Sequence, residues 1–259
     1  MCLIGVKLSA DGYIVIIANR DEDYQRSSRK MHWADGTNGS RILCGRDELN
    51  NGTWLGISDH GRVCALTNII GRPLSLDAPS RGRLVTAYLE STLTPTQFAE
   101  TIKADEYNAF TLLMGCFDDC GIFRLFYYDS ACQTAHDVTD QIHEGFVTSN
   151  GPLAVTNRWP RVNRLRKALA DCPTDVSKLL GLMGASTHPP VPRADIESAL
   201  CESIRVDGIE IGDIGTIAST AIVISPHGKV TAAERTFTRP GDKEGSTLCF
   251  EFALDFSEM

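Results

Sequence analysis

The chain has 259 residues, 42% hydrophobic and 22% charged, the balance of a globular protein able to bury a sizeable core. Its formal net charge of −8 argues against nucleic acid or an anionic membrane surface as a partner. The early apolar run Ile14 to Ala18 is cut by Asn19-Arg20-Asp21-Glu22, and no run is long enough for a signal peptide or a bilayer span. The chain therefore reads as cytoplasmic, without stable membrane insertion, and as one domain over residues 1–259.

Its nine cysteines are scattered and odd in number, which reads as reduced thiols and not as a disulfide framework. Cys116 and Cys120 flank a turn, but no second pair has metal-ligand spacing, so no metal is expected.

In chain order, Cys2–Leu8 and Tyr13–Asn19 read as strands around Asp11-Gly12, a hairpin turn. Gln25–Asn51 is polar and glycine-rich and reads as a long loop, such as a lid or binding loop. Thr53–Ser58 and Arg62–Asn68 form a second hairpin around Asp59-His60-Gly61. Ser80–Ser91 has helical spacing, with Leu84, Val85, Tyr88 and Leu89 on one face, and Thr94-Pro95 starts another helix. Ala109–Cys116 and Ile122–Tyr128 read as paired strands, and Phe146–Asn150 as a short one. Pro160–Ala170 is a basic amphipathic helix. Thr174–Met183 and Ala194–Ile204 are helices around the joint His188–Pro192. Strands return at Ala218–Ser225, Lys229–Phe237 and Leu248–Leu254. Hairpin connections imply mainly antiparallel sheets. Strands at both ends with helices between fit an α+β fold, a four-layer α-β-β-α sandwich.

Cys2 carries a thiol, and removal of Met1 would give it the α-amine as well, a nucleophile and a candidate base on one residue. Their ordinary pKa values, about 8.5 and about 7.7–8.0, are close enough to exchange a proton near neutrality. The hairpin returns the end of the second strand to Cys2, bringing Arg20 and Asp21 beside it. Arg20 would favour thiolate, and Asp21 could orient the amine. The same segment also reads as an exposed polar strand end with local ion pairs. Asn68 and Asn150 end strands, where asparagine serves either turn chemistry or as an amide donor to an oxyanion.

Met1-Cys2, Ala18–Glu22, Gly52–Ser58, Thr67-Asn68, Arg81–Val85, Tyr107-Asn108, Ser149-Asn150 and Trp159–Val162 together resemble the NRDE-motif family, that of transport and Golgi organisation protein 2, in order and over nearly the whole chain. That family resembles N-terminal nucleophile hydrolases in fold, with cholylglycine hydrolase and penicillin acylase type enzymes as its nearest relatives by pattern. The resemblance implies catalytic places at Cys2, Arg20, Asp21, Asn68 and Asn150, and ligand-binding places at Asn19, Glu22, Trp54, Arg81, Trp159 and Arg161. One position departs: the family commonly has Gly-Thr-Arg where this chain has Gly215-Thr216-Ile217. The hydrolases use a late arginine near the nucleophile, a place Arg235 could take.

Two functions follow as expectations. In the first, Cys2 attacks the amide or thioester of a small molecule, with Asn68 and Asn150 holding the oxyanion and no cofactor required. In the second, implied by the family's part in haem and acyl-lipid handling, the same pocket binds haem or acyl-CoA without catalysis. The candidate contacts are then His32 and Trp33 in the long loop, the arginines at positions 158, 161, 164 and 166 with Lys167 on the basic helix, and the Cys172-Pro173 pair.

Overall fold

The computed structural model describes residues 2–37, 39–184, 201–206, 213–238, 242 and 245–256. Within them the chain is α+β, with two antiparallel sheets and short helices. It divides into two compact units, one of residues 1–26, 141–149 and 153–252, the other of residues 27–140, 150–152 and 253–259. Among the described residues no helix is long and apolar enough to cross a membrane.

The first unit holds a six-stranded sheet. β1 (Cys2–Leu8) and β2 (Ile14–Asp23) form the expected hairpin, and Gly12 supplies the positive φ (79°) that the turn needs. β10 (Phe146–Thr148) pairs with β1 at the edge. β11 (Ile214–Ile224), β12 (Lys229–Thr236) and β13 (Ser246–Ala253) continue the sheet beyond β2. One face packs on α4 (Pro160–Ala170) and α5 (Val176–Met183): Leu3, Val15, Ile17, Val147, Ala221 and Val223 meet Val162, Leu165, Leu169, Leu179, Leu180 and Met183. Gly5 is where α4 comes closest, since a Cβ there would lie 2.8 Å from Leu169 Cδ1. The opposite face carries Ile4, Val6, Ile16, Ala18 and Ile222, also buried. Burial on both faces explains the nearly continuous apolar runs in β1, β2 and β11.

The second unit is a seven-stranded sheet in sequential order, β3 (Ser28–Asp35), β4 (Arg41–Asp47), β5 (Leu55–Ser58), β6 (Val63–Asn68), β7 (Phe110–Phe117), β8 (Phe123–Asp129) and β9 (Thr134–Asp137). α1 (Gly82–Glu90) buries the expected stripe of Leu84, Val85, Tyr88 and Leu89 against this sheet. α2 (Pro95–Thr101) starts at a capping box made by Thr94 and Gln97.

The long loop expected over Gln25–Asn51 is instead the hairpin β3–β4. Ile42, Leu43 and Cys44 are fully buried, and β4 pairs with β5. The polar composition belongs to the turn and to β3, an edge strand whose residues are mostly half-buried or exposed. The helix expected over 194–204 and the joint at 188–192 fall largely outside the described residues.

Candidate functional site

Cys2 opens β1 directly opposite Arg20 on β2. Residues directly opposite in an antiparallel pair share a face, so thiol and guanidinium rise from the same side of the sheet, the side turned away from α4 and α5. Both are buried, at 4% exposure each. Burial pushes the thiol pKa up; Asp21 and Glu22 add to the rise, and Arg20 pulls the other way. Ser149 Oγ donates to the Cys2 carbonyl at 3.1 Å and fixes the start of the strand.

Asp21 is one step beyond the Cys2–Arg20 pair, at the end of β1 where the Cys2 backbone nitrogen lies. Its carboxylate is enclosed. Arg161 Nη2 on α4 donates to Oδ2 at 2.7 Å, and Thr216 Oγ1 on β11 donates to Oδ1 at 2.7 Å. Both members of the ion pair have no exposed side-chain surface. Thr216 Oγ1 also accepts from the Val206 backbone N–H. The pair therefore joins the nucleophile's neighbouring strand to α4, to β11 and to residue 206. Sequence reasoning missed Thr216, because nothing local marks a threonine as the partner of a carboxylate 195 positions away.

Several of the expected places hold internal partners. Asn19 Nδ2 donates to Met183 O and Ile204 O, both at 2.9 Å, and Ser219 Oγ donates to Oδ1 at 2.6 Å. It is a fully buried bracket between the sheet and the segment packed on it. Arg161 is not a surface contact but the buried partner of Asp21. Nor is the basic helix a free cationic face. Arg164 binds the Glu202 carbonyl and carboxylate, and Arg166 donates to the Asn163 and Asn157 side chains. Lys167 on that helix and Arg158 before its start are exposed.

The late-arginine place is also resolved. β11 carries a bulge between Thr216 and Ala218, which takes Ile217 out of register with β2 and leaves it buried. Arg235 does not replace the missing arginine: it pairs in register with Ser219, on the helix-covered face, and donates to Thr247 Oγ1 at 3.1 Å. Glu22 is half-buried on the Cys2 face, and its Oε1 accepts from the Asp23 N–H. Trp159 caps the start of α4 and packs, half-buried, against the core of the first unit.

The other site residues belong to the second unit. Asn150 is fully buried, and its Nδ2 donates to the Asn68 carbonyl at 3.1 Å, so these two residues are brought together. Asn150 also accepts the Ile70 N–H on its carbonyl. Trp54 is buried before β5, its carbonyl bonded to the Leu66 N–H. Arg81 precedes α1 and donates to the Ala109 carbonyl at 3.0 Å. His32 and Trp33 lie on edge strand β3, with the Arg41 guanidinium 4.6 Å from the Trp33 ring centre.

The two antiparallel sheets with their helices have the fold of N-terminal nucleophile hydrolases. Solved structures agree. An N-acylethanolamine-hydrolyzing acid amidase ortholog from Caenorhabditis elegans superposes with a TM-score of 0.52 at 14% identity, covering 96% of this chain and 100% of that one. A cysteine-to-alanine mutant of the conjugated bile acid hydrolase from Clostridium perfringens gives 0.53 at 11% identity, covering 99% and 98%. The chain belongs to the Transport and Golgi organisation 2 family, whose model matches residues 1–239. The Bos taurus transport and Golgi organization protein 2 homolog is 26% identical over 98% of this chain and 99% of its own length. The Homo sapiens homolog is 35% identical over 44% of each.

Proposed function

We propose that this protein is a cysteine acyl hydrolase or acyltransferase acting on the amide or thioester of a small molecule, in a reducing compartment such as the cytoplasm. The observation that carries this reading is the Cys2 thiol directly opposite the Arg20 guanidinium on one buried sheet face. The solved bile acid hydrolase structures add support, being a cysteine-to-alanine mutant and an arginine-to-leucine variant, the two residue types paired here.

With Met1 removed, the thiol proton passes to the α-amine and the sulfur bonds to the acyl carbonyl carbon. The C=O electron pair moves onto oxygen, where an N–H donor stabilises it. The oxyanion collapses, the bond to the leaving nitrogen or sulfur breaks, and the leaving group takes the proton from the amine. Water, or a second acceptor, then releases the acyl group from Cys2 by the same steps. Arg20 favours the thiolate, and Asp21, held by Arg161, orients the amine.

Intact-mass measurement of the protein should show Met1 removed. Incubation with an activated acyl ester should leave an acyl group on Cys2, absent in Cys2→Ala. In Arg20→Met the acylation rate near neutral pH should fall, because the thiolate loses the cation that favours it. Retained Met1 with no adduct overturns the reading.

A second reading, binding and transfer of haem or an acyl lipid, is favoured by one cleft. Lys7, Ser9, His143 and Cys172 border a space of about 390 Å³ in the first unit. Lys7 Nζ donates to the His143 carbonyl at 2.6 Å, and Cys172 heads the Cys-Pro pair. Haem titration should give a Soret shift that Cys172→Ala abolishes; no shift in the unaltered protein, together with no affinity for acyl-CoA, removes this reading.

A further inference from the structure

On the face that carries Cys2 and Arg20, one polar side chain makes no bond that the fold accounts for. Thr148, on edge strand β10, is fully buried, and its Oγ1 has no hydrogen-bond partner among the described residues. Its position follows from register. Thr148 lies directly opposite Ile4 on β1, and Cys2 is two residues before Ile4, so Thr148 and Cys2 are diagonal neighbours on one face. Such neighbours have Cα atoms about 7–8 Å apart, with Cβ atoms closer, within reach of a small group held between them.

A buried hydroxyl without a partner costs about 1–3 kcal/mol. Valine has the same shape, carries no such penalty and favours strands at least as well. A threonine here is thus a local conflict of the kind that concentrates at functional sites. Other buried hydroxyls also lack a hydrogen-bond partner among the described residues, those of Thr156 and Tyr128 among them. Neither shares this face: Thr156 ends the short α3 (Leu153–Thr156), and Tyr128 sits in the helix-side core of the second unit.

We propose that Thr148 is a specificity-determining residue of the Cys2 site, its hydroxyl bonding a polar atom of the acyl group two or three bonds from the reacting carbonyl. The favoured substrate class is then acyl groups with a hydroxyl or amide at the β position, not plain alkanoyl groups. The inference rests on the reading of Cys2 as nucleophile, and the following experiment separates the failure of one from the failure of the other.

The full-length protein is offered the p-nitrophenyl esters of β-hydroxybutyrate and β-methylbutyrate, which differ by a hydroxyl in place of a methyl. Acylation of Cys2 is followed by p-nitrophenolate release and by intact mass. In this step the sulfur bonds to the carbonyl carbon and p-nitrophenolate leaves with the electrons of the broken C–O bond. The unaltered protein should prefer the hydroxy ester by about tenfold in kcat/KM, the worth of one hydrogen bond. Thr148→Val should abolish the preference through a higher KM for the hydroxy ester alone. Its thermal stability should be equal or higher. An equal preference before and after the substitution overturns the role of Thr148 while leaving Cys2 as nucleophile. No acylation of Cys2 by either ester in the unaltered protein overturns both.

Discussion

The two faces of the β1–β2 ribbon are equally buried and chemically unlike. On the face packed against α4 and α5, the polar groups of the Asn19–Glu22 segment hold internal partners: Asn19 with Ser219 and two carbonyls, Asp21 with Arg161 and Thr216. On the other face stand a thiol, a guanidinium and a hydroxyl, those of Cys2, Arg20 and Thr148, with Cys2 directly opposite Arg20 and on a diagonal from Thr148. Alternation along a strand splits four consecutive polar residues into two jobs. Asn19 and Asp21 lock the strand to its helices, and Arg20 and Glu22 address the side where Cys2 is. A polar residue saturated with internal bonds is there to place the backbone; chemistry is to be sought on the face that carries the thiol and the unpartnered Thr148 hydroxyl.

The sharpest way to break this contrast is at Arg161. Arg161→Leu leaves the Asp21 carboxylate buried without its cation, and removing one partner of a buried ion pair costs about 3–5 kcal/mol. Urea unfolding should show a loss of that size, and the double variant Arg161→Leu with Asp21→Leu should recover most of it. A loss below about 1 kcal/mol in the single variant would mean that the pair does not hold the strand. Asn19→Ala comes next. It leaves the Met183 and Ile204 carbonyls and the Ser219 hydroxyl without the amide, an expected loss of about 2–3 kcal/mol, with helix content by circular dichroism retained. If Asn19→Ala were neutral while Thr148→Val were costly, the assignment of jobs to faces would be reversed.

What the sequence disclosed follows the range of the forces involved. The β1–β2 hairpin was legible because its turn, Asp11-Gly12, and its apolar strands are neighbours in the chain. The helical stripe ending in Tyr88 and Leu89 was legible for the same reason. The β3–β4 hairpin was not, since an edge strand keeps a polar face and β4 is set by its pairing with β5. For the site, the opposition of Cys2 and Arg20 was readable from hairpin geometry. Arg161 was misplaced because a run of arginines on a helix looks solvated until the carboxylate 140 residues away is known. The bulge at Ile217 left no local trace, because a bulge is a relation between two strands. Thr148 escaped notice because a threonine in a strand is ordinary, and only its missing partner sets it apart.

The smallest expected effect tests whether the Cys2 thiol is enclosed in the folded state on the face where its register puts it. Burial raises its thiol pKa, as it does for Cys64, Cys116 and Cys172. For a thiol raised in this way the folded state holds its proton where the unfolded chain has released it. Stability is then fully present below the unfolded thiol pKa of about 8.5 and declines as pH rises above it, by up to about 1.4 kcal/mol per pH unit for each such group. Urea unfolding between pH 7 and about pH 10 should trace that decline, and Cys2→Ser should remove one thiol's share of the slope. The substitution is close in size and titrates nowhere in this range, so the change in slope is read apart from any constant change in stability. An unchanged slope would mean that the Cys2 thiol ionises as easily in the fold as in the unfolded chain. The Arg20 guanidinium opposite would then offset the whole effect of burial, and the distinction between the two sides of the ribbon would rest on hydrogen bonding alone.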